Sequence, residues 1–372
     1  MRIAYGVMGY GRGHATRSAA VLPALSAEHE VTVFAGGDAH DWLAPRFATV
    51  RIPTLGYAYA GDGRHSPSRS VSRNAAPLAD LLFGGPASRR LGREFAGRGI
   101  DLVISDSEAF CHRTAQRLGI PRISFDHVGI IAWCRSHFPP ELWLAGSRDA
   151  VVYRLLMGTP QAILISSFYP AQPARAGVQQ VGPILREAAL ARTPQRGDYL
   201  LAYFNKGEYQ FLPQIERCLR LLELPVVVYG TARRGTSERL VFRAPSEQGF
   251  LDDLAGCRAL ICTAGNQLVG EAIHFRKPIL ALPEDAVEQR LNAHLIEQFG
   301  IGRRGDLRRL TPSDVDHFLA CEDQFRRNMR GLPGDGRQAA LDTLRALIRR
   351  LAPRQQTRLA VRGSARRGVP ST

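Results

Sequence analysis

Lysine is almost absent: Lys206 and Lys277 are the only two among 49 basic residues, so arginine supplies the net charge of +15. The excess reads in part as a base-composition bias. No nucleic-acid-recognition motif and no basic strand interleaved with aromatics accompanies it, so nucleic acid is not an expected partner. No apolar stretch reaches the roughly 18 residues that a membrane-spanning helix needs. The opening "MRIAYGVMGYGRGH" carries no signal-peptide pattern, and the cytoplasm is the expected location. CxxC pairs are missing too. Cys111, Cys134, Cys218, Cys257, Cys262 and Cys321 are scattered, which predicts free thiols and leaves a zinc site without support. Acidic residues are lacking from Leu344 onward, where Arg345, Arg349, Arg350, Arg354, Arg358, Arg362, Arg366 and Arg367 follow. Anionic lipid headgroups are an expected peripheral contact for that run.

What is present describes a globular chain of two domains: 372 residues, 45% hydrophobic and 22% charged. Short β-branched runs alternate with helical patterns, the signature of βα units around parallel sheets. The first set reads "RIAYGVM", "HEVTVFAG", "ATVRIP", "DLVISD", "PRISFD" and "AILISS"; the second reads "YLLAYFN", "LPVVVYG", "RLVFRAP", "RALICTAG" and "KPILALP". The predicted class is α/β, with two Rossmann-like doubly wound domains facing each other across a cleft. The limits expected are a first domain over 1–182, a linker over 183–198 and a second domain over 199–335. A helix over 336–352 and a disordered basic tail over 353–372 complete the chain. The stretch "GYAYAGDGRHSPSRSVSRN" is predicted to be a functional loop after the third strand.

Two features of the first domain point to chemistry. Gly9, Gly11 and Gly13 lead from the first strand into His14. The spacing departs from the dinucleotide fingerprint, and no acidic residue closes the second strand, so a nicotinamide site is not expected. A His at a helix start is kept available as a base near neutral pH by the helix dipole. Asp106, directly after "DLVIS", either orients that imidazole or caps a helix.

In the second domain, "TAGNQLVGEAIHFRKPILALPEDAVEQRLNA" resembles the donor-sugar signature of the GT-B glycosyltransferases, in the branch of the peptidoglycan N-acetylglucosaminyltransferase and the UDP-glycosyltransferases. Gly265, Glu271, Pro278, Pro283, Gln289 and Asn292 carry the resemblance, with Glu288–Gln289 in place of an Asp/Glu–Gln pair. Gly11, Gly13, His14, Asp106, "VGPIL" and "EQGFLDDLAGC" extend it over most of residues 1–335. The chain also resembles a bacterial and archaeal group of glycosyltransferases in this superfamily. Thr263 stands where the plant-type signature has a phosphate-touching His, and Asn266, Gln267 and Leu268 depart from Trp, Asn and Ser.

The resemblance implies an inverting, metal-independent, hexosyltransferase-type enzyme with no cofactor, using a nucleotide sugar, with UDP the expected nucleotide. His14 is the implied base and Asp106 its orienting partner. The implied donor contacts are Gly11, Gly13, Lys206, Phe250, Thr263, Gly265, Asn266, Gln267, Glu271, Glu288 and Gln289. Lys206 suits a diphosphate, Glu271 the ribose hydroxyls and Gln289 the sugar hydroxyls; Lys277 is expected on a loop surface. Tyr57, Tyr59, Arg64 and His127 are the expected acceptor contacts, the acceptor being lipid-linked, a polysaccharide or a small aglycone. "VGIIAWCRSHFPPELWLAG" places Trp133, Phe138 and Trp143 in a stretch expected either to rest on a membrane or to be buried. A hydrolysing UDP-sugar 2-epimerase and a non-catalytic sugar-nucleotide-binding protein are the alternatives.

Overall fold

The structure is a computed structural model that describes residues 1–60, 64, 66–135 and 138–352. The first sheet holds β1 (Arg2–Val7), β2 (Glu30–Ala35), β3 (Thr49–Arg51), β4 (Leu102–Asp106), β5 (Arg122–Asp126), β6 (Ala162–Ser166) and β7 (Val178–Val181). Their order is β3-β2-β1-β4-β5-β6-β7, and every neighbouring pair is parallel. The second sheet holds β8 (Leu200–Tyr203), β9 (Val226–Tyr229), β10 (Gly235–Ser237), β11 (Leu240–Phe242), β12 (Ala259–Cys262), β13 (Ile279–Ala281) and β14 (Gly302–Arg304). Their order is β10-β11-β9-β8-β12-β13-β14, with only β10–β11 antiparallel. Helices cover both faces, which is why β4, β5, β6, β9 and β12 are buried at every position.

Each sheet reverses its winding once. In the first, β1 lies between β2 and β4; in the second, β8 lies between β9 and β12. A crevice opens beyond the carboxyl ends of the strands at such a switch point. The residues that follow β1 and β4 are the glycine turn and Ser107, and those that follow β8 and β12 are Asn205–Lys206 and Thr263–Gly265. The two crevices share one cavity of about 880 Å³ between the domains.

The chain crosses between domains twice. Gly182 on the outward crossing and Gly336 on the return touch so closely that a Cβ on Gly336 would lie 2.4 Å from the Gly182 carbonyl oxygen. After the return, the helix Arg337–Leu351 buries Ala340, Leu344 and Leu347 in the cluster that holds Ile3, Leu102 and Ile123 of the first sheet. Arg345 on this helix is paired with Glu28 at 2.6 Å and Asp342 at 3.1 Å, so it is not part of a free basic face. The basic tail expected over 353–372 lies outside the described residues.

Some expectations need correction. The stretch 56–74 is not all loop: Ser66 caps a helix, Pro67–Phe83, by accepting from the Arg69 amide, and proline suits its first turn. Residues 61–63 and 65 lie outside the described residues. Trp133 is buried and Phe138 half-buried against the core, leaving Trp143 as the exposed aromatic of that segment. Lys277 is buried, with Nζ donating to the Gln195 and Cys257 carbonyl oxygens, and burial pushes its ammonium down to about 8. The six cysteines are free, and no helix among the described residues is long and apolar enough to cross a membrane.

Candidate active site

The glycine turn leaves β1 with Gly11 at φ +80°, a conformation L side chains rarely adopt, and delivers His14 as the second residue of the helix Gly13–Glu28. Strand pairing sets Val7 beside Asp106, so the turn and the end of β4 are neighbours by register. His14 Nδ1 lies 2.7 Å from Asp106 Oδ1. Arg17, one helical turn on, donates Nε to Oδ2 at 2.9 Å and Nη2 to Oδ1 at 2.5 Å, and Ser18 Oγ reaches Oδ2 at 3.4 Å. Asp106 and Arg17 are both buried. Burial pushes the Asp106 carboxyl up, but Arg17 and His14 beside it more than offset this and hold it below its ordinary value. An ionised carboxylate can only accept at Nδ1, and the tautomer that donates to it leaves the Nε2 lone pair for a substrate. His14 lines the cavity, while Asp106 sits behind it.

Asp106 is not a helix cap. That role falls to Glu108, whose carboxylate accepts from the Phe110 and Cys111 amides at 2.9 and 2.6 Å. Burial pushes the Glu108 carboxyl up to about 7. Between the two, Ser107 holds a left-handed φ of 53°, and Ala264 holds 62° at the corresponding end of β12. Non-glycine residues in this region cost about 1–3 kcal/mol and gather at functional sites.

The second-domain wall is polar and aromatic. Thr263 and Gly265 follow β12, and Gly265 is the cap of the helix Asn266–His274, so the amides of its first turn and its positive dipole end face the cavity region. Lys206 donates to Asp38 Oδ2 across the cleft at 2.7 Å, and that oxygen also accepts from the Gly11 amide at 3.0 Å. Phe250 meets Tyr203 and Tyr229 edge-on, both at 5.2 Å, forming an aromatic wall. Glu271 is buried and held on both oxygens by Arg186, at 2.8 and 2.7 Å, with Gln267 at 3.1 Å. Asn266 and Gln267 reach the Ser166 and Ile184 carbonyls, so both amides brace the domains against each other. Gln289 and Glu284 bond reciprocally, main chain to amide at 3.0 Å and amide to carboxylate at 3.2 Å. Glu288 accepts from Asn292 at 2.9 Å, and burial pushes its carboxyl up.

A family model described as glycosyl transferase family 1 matches residues 1–321. The chain belongs to that family. No curated protein matches it at a significant level. Solved structures that it resembles include the glycotransferase of kitacinnamycin, 17% identical with a TM-score of 0.62 over 95% of this chain and 99% of the other. The calicheamicin glycosyltransferase CalG4 gives the same identity, TM-score and coverage. Acinetobacter baumannii MurG is 14% identical with a TM-score of 0.59, over 93% of this chain and 99% of that one. The fold is GT-B.

In this family 1 glycosyltransferase the four expected acceptor residues fall in different places. Tyr57 lines the cavity, edge-on to Tyr10 at 5.5 Å. Tyr59 instead bridges the domains: its hydroxyl donates to Glu284 at 2.7 Å, meets the Tyr10 hydroxyl at 2.5 Å, and its ring stacks on Tyr209 at 4.3 Å. His127 lines the cavity but is buried, 3.0 Å from the Ser166 carbonyl and 3.3 Å from Asn292 Oδ1, and burial pushes its imidazole down to about 3. Arg64 is exposed, its carbonyl accepting from Ala60 at 2.8 Å. Arg17 and Arg186 escaped the sequence reading. The one available signal for Arg17 was its i+3 spacing from His14, which sets both on one helical face.

Proposed function

We propose that the protein transfers a hexose, with inversion and without a metal, from a nucleoside diphosphate donor, UDP being the expected nucleotide, to a hydroxyl acceptor. The observation that carries this reading is the His14–Asp106 pair on the first-domain wall of the same cavity that holds the helix start at Gly265 on its second-domain wall. As the acceptor oxygen attacks the anomeric carbon, its proton passes to His14 Nε2. The new glycosidic bond forms as the bond from the anomeric carbon to the phosphate oxygen breaks, and that electron pair leaves with the diphosphate. A single displacement inverts the centre. The leaving charge would be met by the amides after Gly265, the Thr263 hydroxyl and Lys206, and the base would lie against Phe250.

Incubation with a panel of nucleotide sugars tests it: the expected products are free nucleoside diphosphate and a β-linked glycoside from an α-linked donor. An epimerised free sugar, or binding with no turnover, overturns it. The donor contacts make a sharper prediction. Glu271→Gln is expected to weaken free nucleoside diphosphate and nucleotide sugar alike, because the ribose belongs to both. Gln289→Ala is expected to weaken the nucleotide sugar alone. Equal losses on free diphosphate, measured by calorimetric titration, would contradict that division.

A further inference from the structure

Asp38 stands outside the donor signature, yet its carboxylate holds two groups expected to meet the donor. Oδ2 accepts from the Gly11 amide at 3.0 Å and from Lys206 Nζ at 2.7 Å, one donor from each domain. Gly11, Asp38, Lys206, Thr263 and Gly265 all line the same cavity. The backbone fixes this arrangement. Asp38 sits in the first turn of the helix Gly37–Leu43, and its amide donates to the Gly9 carbonyl oxygen at 3.0 Å. Gly37 holds φ +46°, and a Cβ there would lie 2.6 Å from that same oxygen, so only glycine lets the two turns pack this closely. On the facing side, a Cβ on Gly11 would lie 3.0 Å from Nδ2 of Asn205, the residue before Lys206. Main chain from both domains thus converges on one carboxylate oxygen.

An anionic oxygen that accepts from a main-chain amide and an ammonium has the chemistry of a phosphate oxygen. Asp38 supplies that oxygen from within the chain, and a phosphate that takes the same two donors must displace it. Of the chain's two lysines only Lys206 lines the cavity, so the competition is for its one ammonium. The strength of the pair decides whether displacement is feasible. The Lys206 side chain is 25% exposed and that of Asp38 38%. An ion pair this open to water holds by a factor of about five or less. The buried Arg17–Asp106 pair is a permanent part of the wall, whereas Asp38–Lys206 is weak enough to exchange. A diphosphate brings more negative charge than a carboxylate, and the released Asp38 side chain is taken up by water.

We propose that the Asp38 carboxylate is an internal competitor of the donor diphosphate: it occupies the phosphate seat made by the Gly11 amide and Lys206 Nζ, and the donor moves it out. The inference rests on the reading of the cavity as a nucleotide-sugar site. The competition acts on both sides of the reaction. It weakens donor binding, and it helps to expel the nucleoside diphosphate product when the carboxylate returns to Lys206.

Calorimetric titration of the wild type, Asp38→Ala and Asp38→Asn with inorganic pyrophosphate and with UDP tests it. Removing the carboxylate is expected to tighten pyrophosphate binding about three- to tenfold, through the freed ammonium and the lost like-charge repulsion. Asp38→Asn keeps an acceptor oxygen without the charge and should fall in between. In a Lys206→Met background, Asp38→Ala should gain about twofold at most, because the seat has lost its cation. Equal or weaker pyrophosphate binding in Asp38→Ala overturns the proposal and makes Asp38 a support that positions Lys206. An undiminished gain in the Lys206→Met background also overturns it, since Asp38 would then act only as a general negative charge. Failure of pyrophosphate to bind any of these proteins overturns it as well. UDP separates the two readings: pyrophosphate binding with the expected gain, but no binding of any nucleoside diphosphate, keeps the seat and its competitor while removing the sugar-transfer reading.

Discussion

Replacing His14 by alanine should lower kcat by about 10²–10⁴-fold, the usual worth of a positioned general base. Affinity for free nucleoside diphosphate should hold, because the candidate donor contacts other than the glycine turn lie on the second domain. Asp106→Asn should reproduce most of that loss. Asp106 Oδ1 lies 2.7 Å from His14 Nδ1, and an ionised carboxylate there accepts the ring proton in the tautomer that frees Nε2. An amide in its place can turn its NH₂ toward Nδ1, which moves the ring proton to Nε2 and leaves no lone pair for the acceptor hydroxyl. Steady-state kinetics beside nucleotide titration separates the outcomes. Near-wild-type turnover in His14→Ala would remove it from the mechanism. Normal turnover with lowered stability in Asp106→Asn would leave the carboxylate a purely structural part.

The pair was legible because both members stand beside unmistakable strands. His14 follows "RIAYGVM" through a glycine turn and Asp106 ends "DLVISD", so parallel-sheet geometry alone brings them to one crevice. The signature from Thr263 to Ala293 was legible for a similar reason, since spaced glycine, proline and carboxylate positions survive where general propensity says nothing. What escaped was decided by tertiary contact. Arg17 and Arg186 are two arginines in a chain full of them, and only the structure shows that each grips a buried carboxylate on both oxygens. Tyr59 lies in an irregular segment, and nothing local foretells its partner Glu284 in the other domain. The strands β7, β10 and β14 read "VQQV", "GTS" and "GRR". They lie at or beside sheet edges, where little apolar burial is required of them.

Arg17→Met should be the most destabilising substitution at the site. Removing one partner of a buried, doubly bonded ion pair leaves the other charge uncompensated and costs about 3–5 kcal/mol. The pH dependence distinguishes this from a simple packing loss. In the wild type the Asp106 carboxyl is held below its unfolded value, so its stabilisation is complete above the unfolded pKa of about 3.9 and is lost only as pH falls through the lower folded value. Without Arg17, burial acts on Asp106 with less opposition and raises its pKa. The deficit in Tm should then be largest near pH 7–8 and shrink as the pH falls through and below about 3.9, where the carboxyl becomes protonated in the unfolded state as well. Catalysis should respond in the same direction: with the guanidinium gone, the Asp106 carboxyl is protonated more readily and no longer accepts from the base it orients, and the acid limb of the kcat profile moves to higher pH. Arg17→Lys keeps the charge but not the fork that spans both oxygens, so it should recover part of the stability. The double variant Arg17→Met with Asp106→Asn should regain stability over Arg17→Met alone while remaining as inactive as Asp106→Asn. A Tm deficit independent of pH would assign Arg17 to packing; a deficit that fades with acid, together with the shifted acid limb, would assign it to holding the carboxylate that orients the base.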